Sequence, residues 1–147
     1  MKISTKGRYG LRAMVDLAVN SVTDHVALKS IAERQSISEG YLEHVFSMLK
    51  KAGLVKSIKG AQGGYILADK PSNISVGNIL RVLEGDLSVV DEKNDPGEKN
   101  NLEKCIKLNV WDMIDRSVNS VVDGITLEDL VSEYKKLENA EATMYYI

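Results

Sequence analysis

The sequence predicts a mainly α-helical protein that contains one small β-hairpin. Three observations predict this fold class. Apolar residues recur at helical spacing through most of the chain, capping residues precede these segments, and one glycine-rich segment separates two short strand-like runs. At 147 residues the chain is long enough for one main core with an extended helical element, and too short for two large domains.

Three helices are predicted in the first half of the chain, because apolar residues return there every three or four positions. Their expected ranges are 9–20, 28–35 and 39–52. Ser4 or Thr5 can cap the first helix, and Ser38 is a good N-cap for the third. Gly53 is expected to end the third helix as its C′ residue.

A glycine-rich segment, 59–64, lies between the strand-like runs 54–58 and 65–67 and predicts a hairpin with a cationic tip. A nucleotide-binding loop is the other interpretation, but the GxxxxGKS/T order is missing and no parallel-sheet pattern surrounds the segment. A short helix, a tight turn, a capped helix and this hairpin are typical of a winged helix-turn-helix. We therefore predict such a DNA-binding domain over residues 1–83.

The predicted DNA contacts come from the exposed face of the third helix, the wing and the amino-terminal cations. Polar side chains near the start of the third helix can reach base edges, while Lys and Arg attract phosphates. Glu39 and Glu43 can accept a hydrogen bond from cytosine N4, although Glu39 can equally serve the helix dipole and His44 can simply be solvated. The predicted DNA-binding residues are Lys2, Lys6, Arg8, Ser38, Glu39, Gly40, Tyr41, Glu43, His44, Ser47, Lys50, Lys51, Lys59, Gly60, Gly63 and Gly64.

The net charge of −2 conceals two halves of opposite sign. Residues 1–70 hold 11 Lys or Arg against 6 Asp or Glu, and residues 71–147 hold 8 against 15. A basic module joined to an acidic one suits a polyanion-binding head with a body that the polyanion repels.

The second half predicts further helices and a surface for a partner. A fourth helix, capped by Ser75 and ended by Gly85, completes the first core, and residues 84–101 are expected to form a mobile loop. Residues 102–137 are predicted to be a helical dimerisation region, with a long helix over 102–122 and a short final helix that starts at Thr126. The long helix carries more apolar surface than the small domain can cover, so a homodimer is expected.

The sequence argues against several other classes. It has no apolar run long enough to cross a bilayer and no signal peptide, so we expect a cytoplasmic protein without a membrane partner. His25 and His44 show no triad spacing, so an enzyme is not expected, and no catalytic residue, metal or cofactor is predicted. A winged helix that binds only protein remains an alternative.

Several motifs together resemble those of the bacterial winged-helix transcriptional regulators of the IscR and CymR type. The matching segments lie at 1–10, 37–43, 49–55, 59–65 and 125–130 and spread over nearly the whole chain. The resemblance implies a dimer that binds palindromic promoter DNA through the third helix and the wing.

The resemblance also shows where this chain departs from the cluster-binding members. Those members carry three cysteines before the dimerisation helix and a histidine three residues after the last. Here only Cys105 is present and Leu108 stands at the histidine position, so a [2Fe-2S] cluster is not expected. Cys105 is then a redox-sensing thiol, the source of an intersubunit disulfide, or a small buried apolar residue, and the last interpretation is favoured.

The pattern without a cluster resembles the CymR type more closely. This resemblance implies a repressor of cysteine and sulfur metabolism genes, with the cysteine-synthesis enzyme CysK as a partner. Residues 138–147 are expected to form a carboxyl-terminal tail that binds this partner through Tyr145, Tyr146 and Ile147.

Overall fold

The computed structural model describes residues 1–91 and 100–145 and confirms the mainly α-helical fold with one antiparallel hairpin. Among the described residues, a 3₁₀ turn, Pro71–Asn73, and a π-helical segment, Lys107–Trp111, accompany the main elements. The elements in chain order are α1 (Thr5–Asn20), α2 (Leu28–Gln35), α3 (Glu39–Lys51), β1 (Val55–Ile58), β2 (Gly64–Leu67), α4 (Val76–Glu84), α5 (Asn101–Ile106), α6 (Asp112–Asp123) and α7 (Leu127–Met144).

The helix boundaries follow the capping chemistry expected from the sequence. Ser4 caps α1 by accepting a hydrogen bond from the backbone of Gly7, and Ser75 and Asn78 form a capping box at the start of α4. Gly53 and Gly85 follow α3 and α4 with φ of 79° and 81°, a left-handed region that glycine adopts without strain.

The main core joins the inner faces of α1, α2, α3 and α4 with β1. Phe46, Met14, Leu17 and Leu42 are among its largest fully buried side chains. This cluster is the expected core of a winged helix-turn-helix, and it fixes α3 and the hairpin relative to α1.

The final helix differs from its prediction in length and in packing. α7 runs to Met144 rather than to about Leu137, because Ala, Glu and Met over 138–144 favour helix. The sequence predicts a tail over 138–147, whereas residues 138–144 belong to α7 in the structure. Leu127 is fully buried in the main core, and its backbone N–H donates to Ile74 O at 2.9 Å. The start of α7 is therefore packed on the winged-helix domain, although the sequence grouped it with the dimerisation region.

The predicted long helix over 102–122 consists of α5, the π-helical segment and α6. Asn109 Nδ2 donates to the Cys105 carbonyl oxygen at 2.8 Å across the π-helical segment. The predicted loop over 84–101 is packed at its start, since Leu87 is buried and the Val89 N–H donates to Asp115 Oδ1 at 2.8 Å. The rest of that loop, residues 92–99, lies outside the described residues.

Candidate nucleic-acid interface

The turn between α2 and α3 presents α3 as a recognition helix. Ser36 has a left-handed conformation, with φ of 54°, and Ile37 anchors the turn in the core. Ser38 Oγ then accepts the Tyr41 N–H at 3.1 Å and caps α3, as predicted. Because Leu42, Phe46 and the other apolar residues of α3 are buried, the opposite face of the helix must point to solvent.

The residues that the sequence predicts on the outer face of α3 are exposed in the structure. Serines, carboxylates and an imidazole lie on this face over residues 38–47, and two lysines lie in the last turn. The exposed residues of this face are Ser38, Glu39, Gly40, Glu43, His44, Ser47, Lys50 and Lys51. Such a face can present both donors and acceptors to base edges.

Gly40 and Tyr41 are two predicted DNA-binding residues whose surroundings differ from those of the others. A Cβ added at Gly40 would meet nothing within 4 Å, so no neighbour within the chain requires glycine there. Tyr41 is half-buried, and its ring packs edge-on against Tyr9 with centroids 6.1 Å apart. Packing therefore accounts for the position of Tyr41, while Gly40 remains free to approach another molecule closely.

The wing is the β1–β2 hairpin with its tip at 59–63. Ile58 pairs with Gly64 at the end of the ladder, and the Gly63 N–H donates to Gly60 O at 3.0 Å to close the tip. Gly60 has φ of 119°, and Lys59 beside it is exposed.

Two wing glycines have an internal reason for being glycine. A Cβ at Gly63 would overlap the Ile58 carbonyl oxygen, and a Cβ at Gly64 would overlap that of Val26. The backbone of Val26 exchanges two 2.9 Å hydrogen bonds with Tyr65, so the α1–α2 connection lies directly against β2. Close backbone packing, within the wing for Gly63 and against the α1–α2 connection for Gly64, therefore accounts for glycine at these two positions.

The amino-terminal cations lie at or near the start of α1. Lys2 and Arg8 are exposed, whereas Lys6 is half-buried. This end of α1 is held in place because Ser4 donates to Glu84 Oε1 through its backbone N–H at 2.8 Å and its hydroxyl at 2.6 Å. Since α1 packs on α3, and α3 on β1, one core carries all three groups of predicted DNA contacts.

A polar contact that the sequence did not predict joins His25 to the wing tip. His25 precedes Val26, and its ring Nε2 lies at hydrogen-bond distance from the Gln62 carbonyl oxygen at the wing tip. Its Nδ1 lies 2.8 Å from Asp24 Oδ1. The sequence shows only an isolated histidine 37 positions from Gln62, and no local pattern relates the two.

Cys105, which the sequence predicts to be a small buried residue of the dimerisation region, is exposed in the single chain. It lies on α5, next to Ile106, whose side chain is also exposed. Within residues 1–91 and 100–145, no three His, Cys, Asp or Glu side chains are grouped closely enough to hold a metal ion. A cluster needs several thiolates, and the chain has one cysteine, so its donor set does not fit an iron-sulfur group.

The helical segment 101–123 exposes an unusual amount of apolar surface. Leu102 is 70% exposed, and Leu108 and Val121 are each 60% exposed. Further exposed apolar residues on the segment are Ile106, Val110, Trp111, Met113 and Ile114. Among the described residues, no helix has the length and apolar content needed to cross a membrane.

Comparison with known proteins identifies transcriptional regulators, the class of protein that the winged helix-turn-helix fold indicates. The family model Rrf2, described as an iron-dependent transcriptional regulator, matches residues 3–133. The HTH-type transcriptional regulator CymR of Bacillus subtilis is 48% identical over 147 residues, which is 100% of both chains.

Two solved structures are similar over most of their length. The structure of CymR, the global cysteine regulator of B. subtilis, has a TM-score of 0.77 at 47% identity and matches 90% of this chain and 98% of its own. The T. potens IscR structure has a TM-score of 0.77 at 46% identity, with 99% and 97% covered. The winged helix-turn-helix, the exposed face of α3 and these full-length similarities show that the chain belongs to the Rrf2 family of DNA-binding transcriptional regulators.

Proposed function

We propose that this protein is a homodimeric repressor of cysteine and sulfur metabolism genes that binds palindromic promoter DNA without an iron-sulfur cluster. In this proposal α3 enters the major groove, and the wing and amino-terminal cations contact the backbone or the minor groove. The observation that carries the proposal is the exposed outer face of α3, which combines base-reading side chains with a capped, well-anchored amino terminus.

The proposed DNA contacts divide into two physical classes. Glu43 and Ser47 on α3 have side chains suited to base edges, whereas Lys50, Lys51 and Lys59 supply charge for phosphates. The carboxylates are repelled by phosphate, but they can accept a hydrogen bond from cytosine N4 and therefore favour a sequence that offers this donor. Selectivity then resides mainly on the polar residues of α3 that precede Lys50, and affinity on the cations around them.

Selection of duplexes from a random pool by the full-length protein tests this function. We expect a palindromic consensus, and gel shifts should show a steep loss of affinity with salt while the preference for that consensus persists. Recovery of no consensus at any salt concentration would favour a winged helix that binds only protein.

The homodimer is proposed from the apolar surface of 101–123. A helix with this much exposed apolar area needs a partner, and an identical helix is the simplest one. A two-fold axis through α6 would also present two copies of α3 to the two halves of a palindrome. Sedimentation of the purified protein should show a dimer.

The regulated genes are proposed from similarity to B. subtilis CymR, whose structure is described as that of the global cysteine regulator. The absence of a fitting set of thiolates around Cys105 supports regulation without a cluster. Transcript levels in a strain that lacks the gene should rise for cysteine and sulfur uptake functions. Anaerobically purified protein should show no visible absorption from a cluster, and such absorption would favour an IscR-like regulator instead.

CysK remains the proposed protein partner. Tyr145, at the end of α7, is 82% exposed and is the described part of the predicted docking segment, whereas Tyr146 and Ile147 lie outside the described residues. Purified CysK should bind the full chain and bind a Tyr145→Ala, Ile147→Ala variant more weakly. Equal binding of both proteins would exclude docking through this segment.

A further inference from the structure

We propose that Glu84, the last residue of α4, is a positioning residue for DNA binding. Its carboxylate caps the start of α1 and thereby fixes the cations that this end of α1 presents to phosphates. The inference rests on the proposed contact between the amino-terminal cations and DNA. It assigns a role to an acidic residue that lies outside the predicted DNA-binding set.

One carboxylate oxygen of Glu84 accepts three hydrogen bonds from the start of α1. Ser4 donates its backbone N–H at 2.8 Å and its hydroxyl at 2.6 Å, and the Gly7 N–H donates at 3.1 Å. Hydrogen bonds to an ionised acceptor are roughly twice as strong as those between neutral groups. Two of these bonds satisfy backbone N–H groups that the start of a helix leaves without an intrahelical partner.

The arrangement resembles a capping box in which another helix supplies the acid. In an ordinary capping box, the side chain at the third helical position accepts a hydrogen bond from the N-cap backbone. Thr126 and Asp129 do this within α7. In α1 the third position is Gly7, which has no side chain, and Glu84 accepts the bond instead. The start of α1 therefore depends on a residue 77 positions from Gly7.

The packing of α1 on α4 accounts for the residues at this contact. A Cβ at Gly7 would overlap the Glu84 carboxylate, and a Cβ at Gly10 would overlap Leu83, which is buried. Glu84 is half-buried at the carboxyl end of α4, where the helix dipole disfavours an acid. The interaction with α1, rather than α4 itself, thus favours a carboxylate at this position.

The capped turn carries Arg8, one of the proposed phosphate contacts. The Arg8 backbone N–H donates to the Ser4 carbonyl oxygen at 3.1 Å, and its Nη2 donates to Thr5 Oγ1 at 3.2 Å. Lys6 lies in the same turn. If the turn opens, these cations lose their fixed position, and ordering them on DNA costs conformational entropy. Glu84 should therefore favour DNA binding, although its own charge is repelled by phosphate.

The experiment compares Glu84→Gln with Glu84→Ala on the duplex obtained by selection. Both variants remove the same negative charge, so the loss of its repulsion from phosphate cancels between them. The glutamine oxygen can still accept hydrogen bonds from Ser4 and Gly7, whereas alanine cannot. We expect Glu84→Ala to bind about three- to tenfold more weakly than Glu84→Gln, with a slope of log affinity against log salt smaller by about 1. Equal affinities and slopes would overturn the proposal.

Gly7→Ala tests the same contact with the charge retained. The added methyl group displaces the Glu84 carboxylate, so this variant should bind DNA about three- to tenfold more weakly than the wild type. In a chain that already carries Glu84→Ala the methyl group has space, and Gly7→Ala should change affinity by less than about twofold. Equal losses in the two backgrounds would contradict coupling through the carboxylate. Melting temperatures establish that each variant is folded.

Amide hydrogen exchange in the free protein separates failure of the cap from failure of the proposed function. The Gly7 amide should exchange faster in Glu84→Ala than in the wild type, with an intermediate rate in Glu84→Gln, while the amides of α3 keep their protection. An unchanged Gly7 rate would refute the cap. If the rate changes while Lys6→Ala and Arg8→Ala bind DNA as tightly as the wild type, the cap is supported and the proposed contact of these cations with DNA is refuted.

Discussion

Arg34 Nε and Nη2 donate hydrogen bonds of 3.0 and 2.7 Å to the two carboxylate oxygens of Asp16, whose side chain is only 2% exposed. Gln35 Nε2 donates to the same carboxylate at 2.9 Å. Arg34 and Gln35 end α2 and immediately precede the left-handed Ser36. The buried acid of α1 thus holds the end of α2 from which the turn to the recognition helix begins.

Replacing Asp16 should therefore destabilise the protein. Asp16→Ala leaves several donors without their acceptor, but water can solvate Arg34, which is 41% exposed. We expect the free energy of unfolding to fall by about 1–3 kcal/mol in chemical denaturation. Glu133→Ala is the matched control, because Glu133 is exposed and pairs with Lys136 on the same helix. An equal, small effect of both substitutions would contradict this role of Asp16.

Gly40→Ala should separate folding stability from DNA binding. The added methyl group meets nothing in the chain, and alanine restricts the unfolded backbone, so stability should rise by about 0.4–1 kcal/mol. On DNA the same methyl group would lie between α3 and the groove, and affinity should fall by about tenfold. Thermal melts and gel shifts measure the two effects. A variant that binds DNA as tightly as the wild type would place Gly40 away from the interface.

Lys59→Ala should weaken DNA binding without changing the preferred sequence. Loss of one phosphate contact reduces the slope of log affinity against log salt by about 1. Glu43→Gln is the contrasting variant, because its change in hydrogen bonding should alter the preferred base and leave the salt slope nearly constant. Gel shifts on the selected duplex and on its single-base variants measure both quantities. An unchanged salt slope in Lys59→Ala would remove the wing tip from the interface.

Val121→Asp should convert the proposed homodimer to a monomer. Val121 is 60% exposed in the single chain, and a carboxylate there would have to be buried without a partner between two α6 helices. Val22→Asp makes the same chemical change at a valine that is 77% exposed in the α1–α2 connection, so it should remain dimeric. Sedimentation velocity distinguishes the two states. Dimeric Val121→Asp would show that the dimer forms through another surface.

The ion pair between Arg81 of α4 and Asp123 of α6 should weaken in acid. Hydrogen bonds from Arg81, the shortest of 2.7 Å, lower the pKa of the Asp123 carboxyl from its ordinary value of 3.8. A carboxyl whose pKa is lowered by folding contributes stability above its unfolded pKa, and this contribution is lost as the pH falls through the folded pKa. The stability difference between wild type and Asp123→Asn should therefore be present at neutral pH and shrink below about pH 4. A difference that stays constant with pH would exclude an ionic contribution.

The helices, their caps and the wing were predictable from local pattern, because each depends on interactions within a few residues. Ser38 and Ser75 were recognisable as N-caps, and Gly53 and Gly85 as helix ends, since these roles follow from backbone geometry near one residue. The outer face of α3 was predictable for the same reason. Once Leu42 and Leu49 are buried, helical periodicity determines which side chains face solvent.

Contacts between residues far apart in the chain could be identified only from the tertiary structure. The sequence itself determined a winged helix-turn-helix, the polar outer face of α3 and an apolar helical segment in the second half of the chain. Only the folded chain decided that Leu127 joins the main core, that Asp16 holds the end of α2, and that His25 meets Gln62. These contacts join residues far apart in the chain, and a pattern with a period of two or four residues carries no information about them.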